Sequence, residues 1–235
     1  MTDATPRFEG PPQLALPFDL DEPAFAPIET ERLVLRRLEA SDADDVWEYQ
    51  RLPDVLRYIP WPERDRDEAR QHTEKRAGMR SLVKDEDAIF FAMELVGEPR
   101  VAPDDARGAD EANRTDAASR ADAAGGRIIG DVMLRADRIE HGGLEIGWVV
   151  HPTFQGRGLA REAAHAVMGV AFDTLRAHRV HALLDARNAA SAVLCERLGM
   201  RREATILEEQ YDDGEWQDTA MYGILRREWA AGSVE

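Results

Sequence analysis

The distribution of apolar residues predicts a mixed α/β fold with one central sheet, and three observations carry that reading. Short apolar runs of strand length recur at residues 32–38, 88–96, 127–134, 144–150 and 180–186. Stretches between them place apolar residues at helical spacing, most clearly Leu159, Ala163, Val167, Val170 and Ala171. The third observation is EIGWVVHPTFQGRGLAREAAHAVM, residues 145–168, in which a strand meets a proline, crosses two glycines and becomes a helix.

The elements follow in order. RLVLRRL at 32–38 reads as a strand, and Ser41 caps a helix beginning DADDVWEY, with Asp44 completing an approximate capping box. After the Pro60-Trp61-Pro62 break, a second helix is expected over 65–83. Strands at 88–96 and 127–134 flank residues 97–126, whose only larger apolar side chain is Val101, so this acidic stretch reads as a disordered insertion. The strand at 144–150 feeds the glycine turn and its helix. VHALLDA at 180–186 is the next strand, followed by a helix capped by Asn188 and stopped at Gly199. A hairpin over 204–225 closes the chain, turning at Asp212-Asp213-Gly214. Residues 1–27, rich in proline and acid, read as a tail that docks in part, ahead of one domain over 28–235.

Charge and composition narrow the function. With 30 basic and 46 acidic residues among 235, the net charge of −16 disfavours nucleic acid and anionic membrane as partners. A single cysteine, Cys195, permits no internal disulfide, and no stretch approaches the roughly 18 apolar residues of a membrane span; a soluble, cytoplasmic protein is expected. The six histidines show no metal-ligand spacing, and His178 and His181, at a helix-to-strand change, are expected on the surface.

The glycine turn is where chemistry is expected. A strand running through glycines into a helix gathers unpaired backbone N–H groups at the positive end of the helix dipole, which suits a phosphate. QGRGLA lacks the third glycine of a dinucleotide fingerprint and the Lys-Ser/Thr pair of a nucleoside-triphosphate loop. On its own, the motif is equally compatible with a plain turn.

Five blocks together resemble the GNAT N-acetyltransferases, and within them the ribosomal-protein-alanine branch: IETERLVLRRLEASDADDVW, GRIIGDVMLR, LEIGWVVHPTFQGRGLAREA, NAASAVLCERLGM and GEWQDTAMYGILRREW. The resemblance spans residues 28–229 apart from the insertion. It implies a mostly antiparallel sheet splayed at two central strands and flanked by helices. Acetyl-CoA would be the cofactor, with no metal. Gln155-x-x-Gly158-x-Ala160 matches the family's pyrophosphate loop, which implies cofactor contacts at Gln155, Gly156, Arg157, Gly158, Leu159, Ala160 and Arg161. The two arginines would neutralise phosphate or remain solvated at the helix start. Backbone at Trp148, Val149 and Val150 would pair with the pantetheine arm. Asn188 and Ser191 match positions beside that arm, and Asn188 also suits a helix cap.

The reaction needs a neutral amine. A lysine-type amine is roughly one part in 2,500 neutral at pH 7, and an α-amine about one in ten, so the former depends more on a base. Glu145, on the strand beside the implied thioester, is the leading base candidate, against a purely structural reading; Asp131 and Asp218 follow. Glu162 is discounted, since a carboxylate is favoured in any first helical turn. Where many family members carry a tyrosine to protonate the departing thiolate, this chain has Cys195, read as a buried small hydrophobe, which leaves Ser191, water or no acid at all. Trp61 lines the acceptor side or belongs to an apolar core or lid. The expected acceptor is an amine on a peptide N-terminus or a small molecule, and the expected assembly a monomer or homodimer. Two other readings stay open: a catalytically inactive acyl-CoA-binding module, and a nucleotide enzyme, which the missing fingerprints oppose.

Overall fold

A computed structural model describes residues 13–22, 25–100, 125–212 and 214–232. Its strands are β1 (Phe18–Asp19), β2 (Ile28–Glu29), β3 (Leu33–Arg37), β4 (Ser81–Leu82), β5 (Ala88–Pro99), β6 (Gly126–Ala136), β7 (Gly143–Val150), β8 (Arg179–Asp185), β9 (Arg201–Asp212) and β10 (Glu215–Leu225). Its α-helices are α1 (Ala43–Gln50), α2 (Pro53–Leu56), α3 (Arg66–Ala77), α4 (Leu159–Gly169), α5 (Ala189–Arg197) and α6 (Arg226–Gly232). Among the described residues, eight strands form the main sheet in the order β2-β3-β5-β6-β7-β8-β10-β9.

Every neighbouring pair in that sheet is antiparallel except β7 and β8. Those two run parallel and pair only at Gly143 with Arg179, Leu144 with Val180 and Glu145 with His181. Beyond Glu145 they part, while β7 stays paired with β6 on its other side as far as Val150. One edge of residues 146–150 is thereby left without a strand partner, and the sheet opens as a V toward the carboxyl ends of two parallel strands, where open sheets hold ligands.

Each face of the sheet has its own core. On one, the α4 stripe of Leu159, Ala163 and Val167, continued by Val170 and Ala171 in a π-helical turn at Val170–Thr174, buries against Leu134, Leu144 and Ile146. On the other, Val46 and Tyr49 of α1, Val55 of α2 and Ala77 of α3 pack with Ala92, Ile128 and Val149. Adjacent residues of β7 thus serve opposite cores, as the two-residue period of a strand requires.

Several local expectations are corrected. The first helix is capped not by Ser41 but by Glu39, in a reciprocal box with Asp42 that opens a 3₁₀ turn leading into α1. Asp42 is fully buried because Arg36 grips both its oxygens, which fixes the turn two residues away from the expected cap. Helix α3 starts as expected, with Asp65 and Glu68 capping reciprocally, but ends at Ala77 rather than 83 because Ser81 and Leu82 pair with Asp19 and Phe18. The segment before Ile28 supplies that strand and buries Leu20, while Leu14, Leu16, Phe18 and Phe25 pack on the first core. Strands β5 and β6 reach into the expected insertion from both sides, pairing Pro99 with Gly126, and Arg100 donates to buried Asp42 at 2.6 Å. Residues 101–124, the rest of that expectation, lie outside the described residues. Helices α2 and α6 were not anticipated.

Candidate active site

The turn between β7 and α4 is built for an anion. Gly156 and Gly158 sit at φ +72° and +81°, in the left-handed region that side chains disfavour, and a Cβ at Gly156 would meet nothing within 4 Å. The Gln155 amide bonds to the Pro152 carbonyl at 3.1 Å, and the Glu162 amide to the Gly158 carbonyl at 3.0 Å. Between them, the amides of Gly156 to Arg161 make no hydrogen bond among the described residues. Six consecutive open donors at the start of an eleven-residue helix form the electropositive cradle expected of a phosphate site. Gln155 shapes it from within, its Nε2 donating to the Val150 carbonyl at 2.9 Å.

A brace from the far side of the chain holds this turn. The backbone amide of Arg32 and the Thr30 hydroxyl donate to Glu162 Oε1 at 2.8 and 2.7 Å. The Arg32 guanidinium grips Oε2 with Nε at 2.8 Å and Nη2 at 2.6 Å, while its Nη1 donates to the Arg157 carbonyl at 2.9 Å. Burial pushes the Glu162 carboxyl up, but these bonds and the Arg32 charge outweigh it and hold the group below its usual range. Glu162 is thus more than a generic helix-start acid. Arg32 went unrecognised because 130 residues separate it from Glu162.

Above the cradle lies a cleft of about 600 Å³, bounded by the end of β7, the glycine turn with the start of α4, and α5. Trp148, Val149 and Val150 form one wall; Gln155, Gly156, Gly158, Leu159, Ala160 and Arg161 form the floor; Asn188 and Ser191 close the other side. Asn188 caps α5 as expected, its side-chain oxygen accepting from the Ser191 amide at 3.0 Å. The Trp148 indole donates to Ser191 Oγ at 3.3 Å, which bridges the divergence and leaves the hydroxyl proton free to donate. Arg197, at the end of α5, also lines the cleft, and its carbonyl accepts from Arg161 Nε at 3.4 Å. Arg157 stands apart from the lining, its guanidinium over the Phe154 ring at 5.6 Å.

A second cavity of about 250 Å³ adjoins the cleft and shares Tyr58, Ile59, Trp148, Val149, Asn188 and Ser191 with it. Glu145 and Asp131 both reach this cavity. Arg135 binds Glu145 Oε2, and Oε1 has no hydrogen-bond partner among the described residues.

A model of the acetyltransferase (GNAT) domain matches residues 32–201. The chain belongs to the GNAT acetyltransferase family. It is 27% identical over 207 residues to the uncharacterized N-acetyltransferase YnaD of Bacillus subtilis strain 168, spanning 86% of this chain and 98% of that one. The structure of a GNAT-family acetyltransferase from Bacillus anthracis aligns with TM-score 0.66 at 28% identity, over 86% of this chain and 99% of its own. Two more distant structures share the fold. RimL, a ribosomal L7/L12 alpha-N-protein acetyltransferase in complex with coenzyme A, aligns at TM-score 0.62 and 16% identity, over 83% of this chain and 95% of its own. The Vibrio cholerae spermidine N-acetyltransferase in complex with CoA and spermine aligns at 0.63 and 20%, over 86% and 99%. The chain is therefore an N-acetyltransferase.

The remaining candidates of this GNAT chain fall outside the reacting space or are occupied. Asp131, 2% exposed, accepts from Arg76 at one oxygen and from the Tyr49 hydroxyl at 2.7 Å at the other. Asp218 lines neither cavity and accepts from the Glu208 amide at 2.9 Å, beside the irregular β9–β10 pairing. Cys195 is buried, its thiol pushed up to about 12 by burial, and lines neither cavity. The expectation of a surface position fails for His181: it is 3% exposed, with Nε2 at 3.5 Å from Asp137 and 3.8 Å from Glu145. Burial lowers its pKa, against the pull of those two carboxylates. Among the described residues no group of His, Cys, Asp and Glu could hold a metal, and no helix is long and apolar enough to cross a membrane.

The brace yields a prediction. Glu162→Ala strands the Arg32 and Thr30 donors and should cost about 1–3 kcal/mol in urea unfolding. Because its folded pKa lies below the unfolded one, the stabilisation from Glu162 is present above the ordinary carboxylate range and is lost as pH falls through the folded value. The difference in stability between wild type and Glu162→Ala should therefore narrow as pH drops below about 4.

Proposed function

We propose that the chain moves an acetyl group from acetyl-CoA to a primary amine by direct attack within a ternary complex. The observation that carries this reading is the junction of two unlike spaces: an amide-lined cleft on one side of Trp148 and Ser191, and a carboxylate-bearing cavity on the other. The pyrophosphate lies on the amides of 156–161, aided by Arg161 and Arg197. The pantetheine arm then follows the open edge of 146–150 as an added strand. Such a path delivers the thioester to the shared wall, where the amine meets it from the second cavity.

In this reading Glu145 Oε1 takes the ammonium proton, directly or through water, while Arg135 fixes the carboxylate by its other oxygen. Attack forms the C–N bond and the C–S bond breaks; the second proton shed by the nitrogen passes to the departing sulfur through the Ser191 hydroxyl or water, and Glu145 returns its own proton to solvent. The paired state of Asp131 favours a structural role for it. RimL, an alpha-N-protein acetyltransferase, and the spermidine N-acetyltransferase both act on amines, one at a protein N-terminus and one on a polyamine, which supports an amine here without choosing between them.

Two variants test the assignment. Gly158→Asp places a negative charge in the cradle, with a residue tolerant of its left-handed backbone, and should weaken acetyl-CoA binding in calorimetry by at least about 30-fold, roughly 2 kcal/mol. Undiminished affinity in the folded variant removes the site. Glu145→Gln should lower turnover by roughly 10²-fold or more with acetyl-CoA affinity barely changed, and a lysine-like amine should suffer more than an α-amine. Equal, small losses would discard Glu145 as the base.

A further inference from the structure

The walls of the second cavity specify what kind of amine they can hold. Tyr58, Ile59, Trp61, Phe90, Trp148 and Leu183 give it an aromatic and aliphatic surface. The two carboxylates that reach it each hold an arginine, Asp131 with Arg76 and Glu145 with Arg135, the latter shared with Glu86. Arg76 lies behind the aromatic wall, 4% exposed, with its guanidinium 4.3 Å from the Phe90 ring centre and 5.6 Å from that of Trp61. Among the described residues its Nε and Nη1 have no hydrogen-bond partner, so this wall carries more donor capacity than acceptor. Glu145 Oε1 is the one carboxylate oxygen of Glu145 and Asp131 left without a partner among the described residues.

We infer that the acceptor is a monoamine whose amine-bearing carbon carries an apolar, preferably aromatic, group, and not a polyamine. This rests on the amine-acceptor reading above. One ammonium is satisfied by Glu145 Oε1, and the adjoining group is buried against Trp61 and Phe90, where an aromatic ring buries a large apolar area and meets rings edge to face. A second ammonium would enter the same wall with no carboxylate oxygen to receive it and with Arg76 behind, and an unpaired charge in such a space is strongly disfavoured. A small arylalkylamine and a peptide with phenylalanine at its N-terminus share this chemistry.

The test uses phenethylamine, a phenylalanyl dipeptide amide, putrescine and spermidine. Binding is measured by calorimetry with and without saturating CoA, and kcat/KM with acetyl-CoA. Phenethylamine or the dipeptide should be favoured over both polyamines by at least about tenfold in affinity and in kcat/KM, and the larger of their two values names the source. Trp61→Ala, with Phe90→Leu as a second variant should the first not fold, should erase most of that preference and leave CoA affinity unchanged. Spermidine binding as well as phenethylamine, or a wall variant that weakens both classes equally, overturns the inference. Failure of acetyl-CoA to bind would overturn the donor reading instead, since amine selectivity in the CoA-free protein is measured separately.

Discussion

Three residue pairs hold β7 and β8 together, and the site follows from where that pairing stops. Parallel strands joined along their full length would leave the centre of the sheet closed, as buried parallel strands ordinarily are. Here the pairing ends at Glu145 and His181, and the second cavity lies where the strands part, lined by Ile146 to Val149 of β7 and Ala182 to Leu184 of β8. The divergence is supported on both sides: β7 is held by β6 to its end, and β8 by β10 from Arg179 to Asp185. Each arm of the V is therefore rigid on its outer side and open within, and the Trp148–Ser191 contact spans the gap.

Charge is arranged so that an acidic chain can bind an anion. The cradle uses backbone amides and a helix start, which no net charge cancels, and its side-chain cations come from Arg161 and Arg197 along the cleft. Arg32 works differently. Its guanidinium is taken up by Glu162 and the Arg157 carbonyl, so it shapes the turn and adds little charge to the ligand's surroundings. Beneath the second cavity, the buried pairing of Arg76, Asp131 and Tyr49 ties α1, α3 and β6 together. Removing one member of such a buried pair is costly even where forming it gains little, which makes it a structural fixture of that wall.

What was legible in the sequence is what is local. The α4 stripe, the Asn188 cap and the glycine turn each depend on residues a few positions apart, and each stands where the pattern placed it. The motif residues 155–161 fold into one turn, and all but Arg157 line the cleft, since side-chain direction within a turn is not written in its spacing. Illegible were the contacts made by sheet register and long loops: Arg135 opposite Glu145, Glu162 under Arg32, and Asp131 between Arg76 and Tyr49. The end of α3 was misjudged for the same reason, since strand pairing of Leu82 with Phe18 overrode a helical pattern. His181 looked superficial because nothing in its neighbourhood of sequence reports that it stands at the last β7–β8 pair with Asp137 and Glu145 beside it.

The central claim is that two stretches of backbone, the edge of 146–150 that β8 leaves open and the amides of 156–161, receive the cofactor. Amide hydrogen exchange with and without acetyl-CoA measures this directly. Protection should rise in those two segments together, with the β6–β7 pairing already slow in the free protein and little changed. Acetyl-CoA that binds while leaving both segments as exchangeable as before would contradict the account.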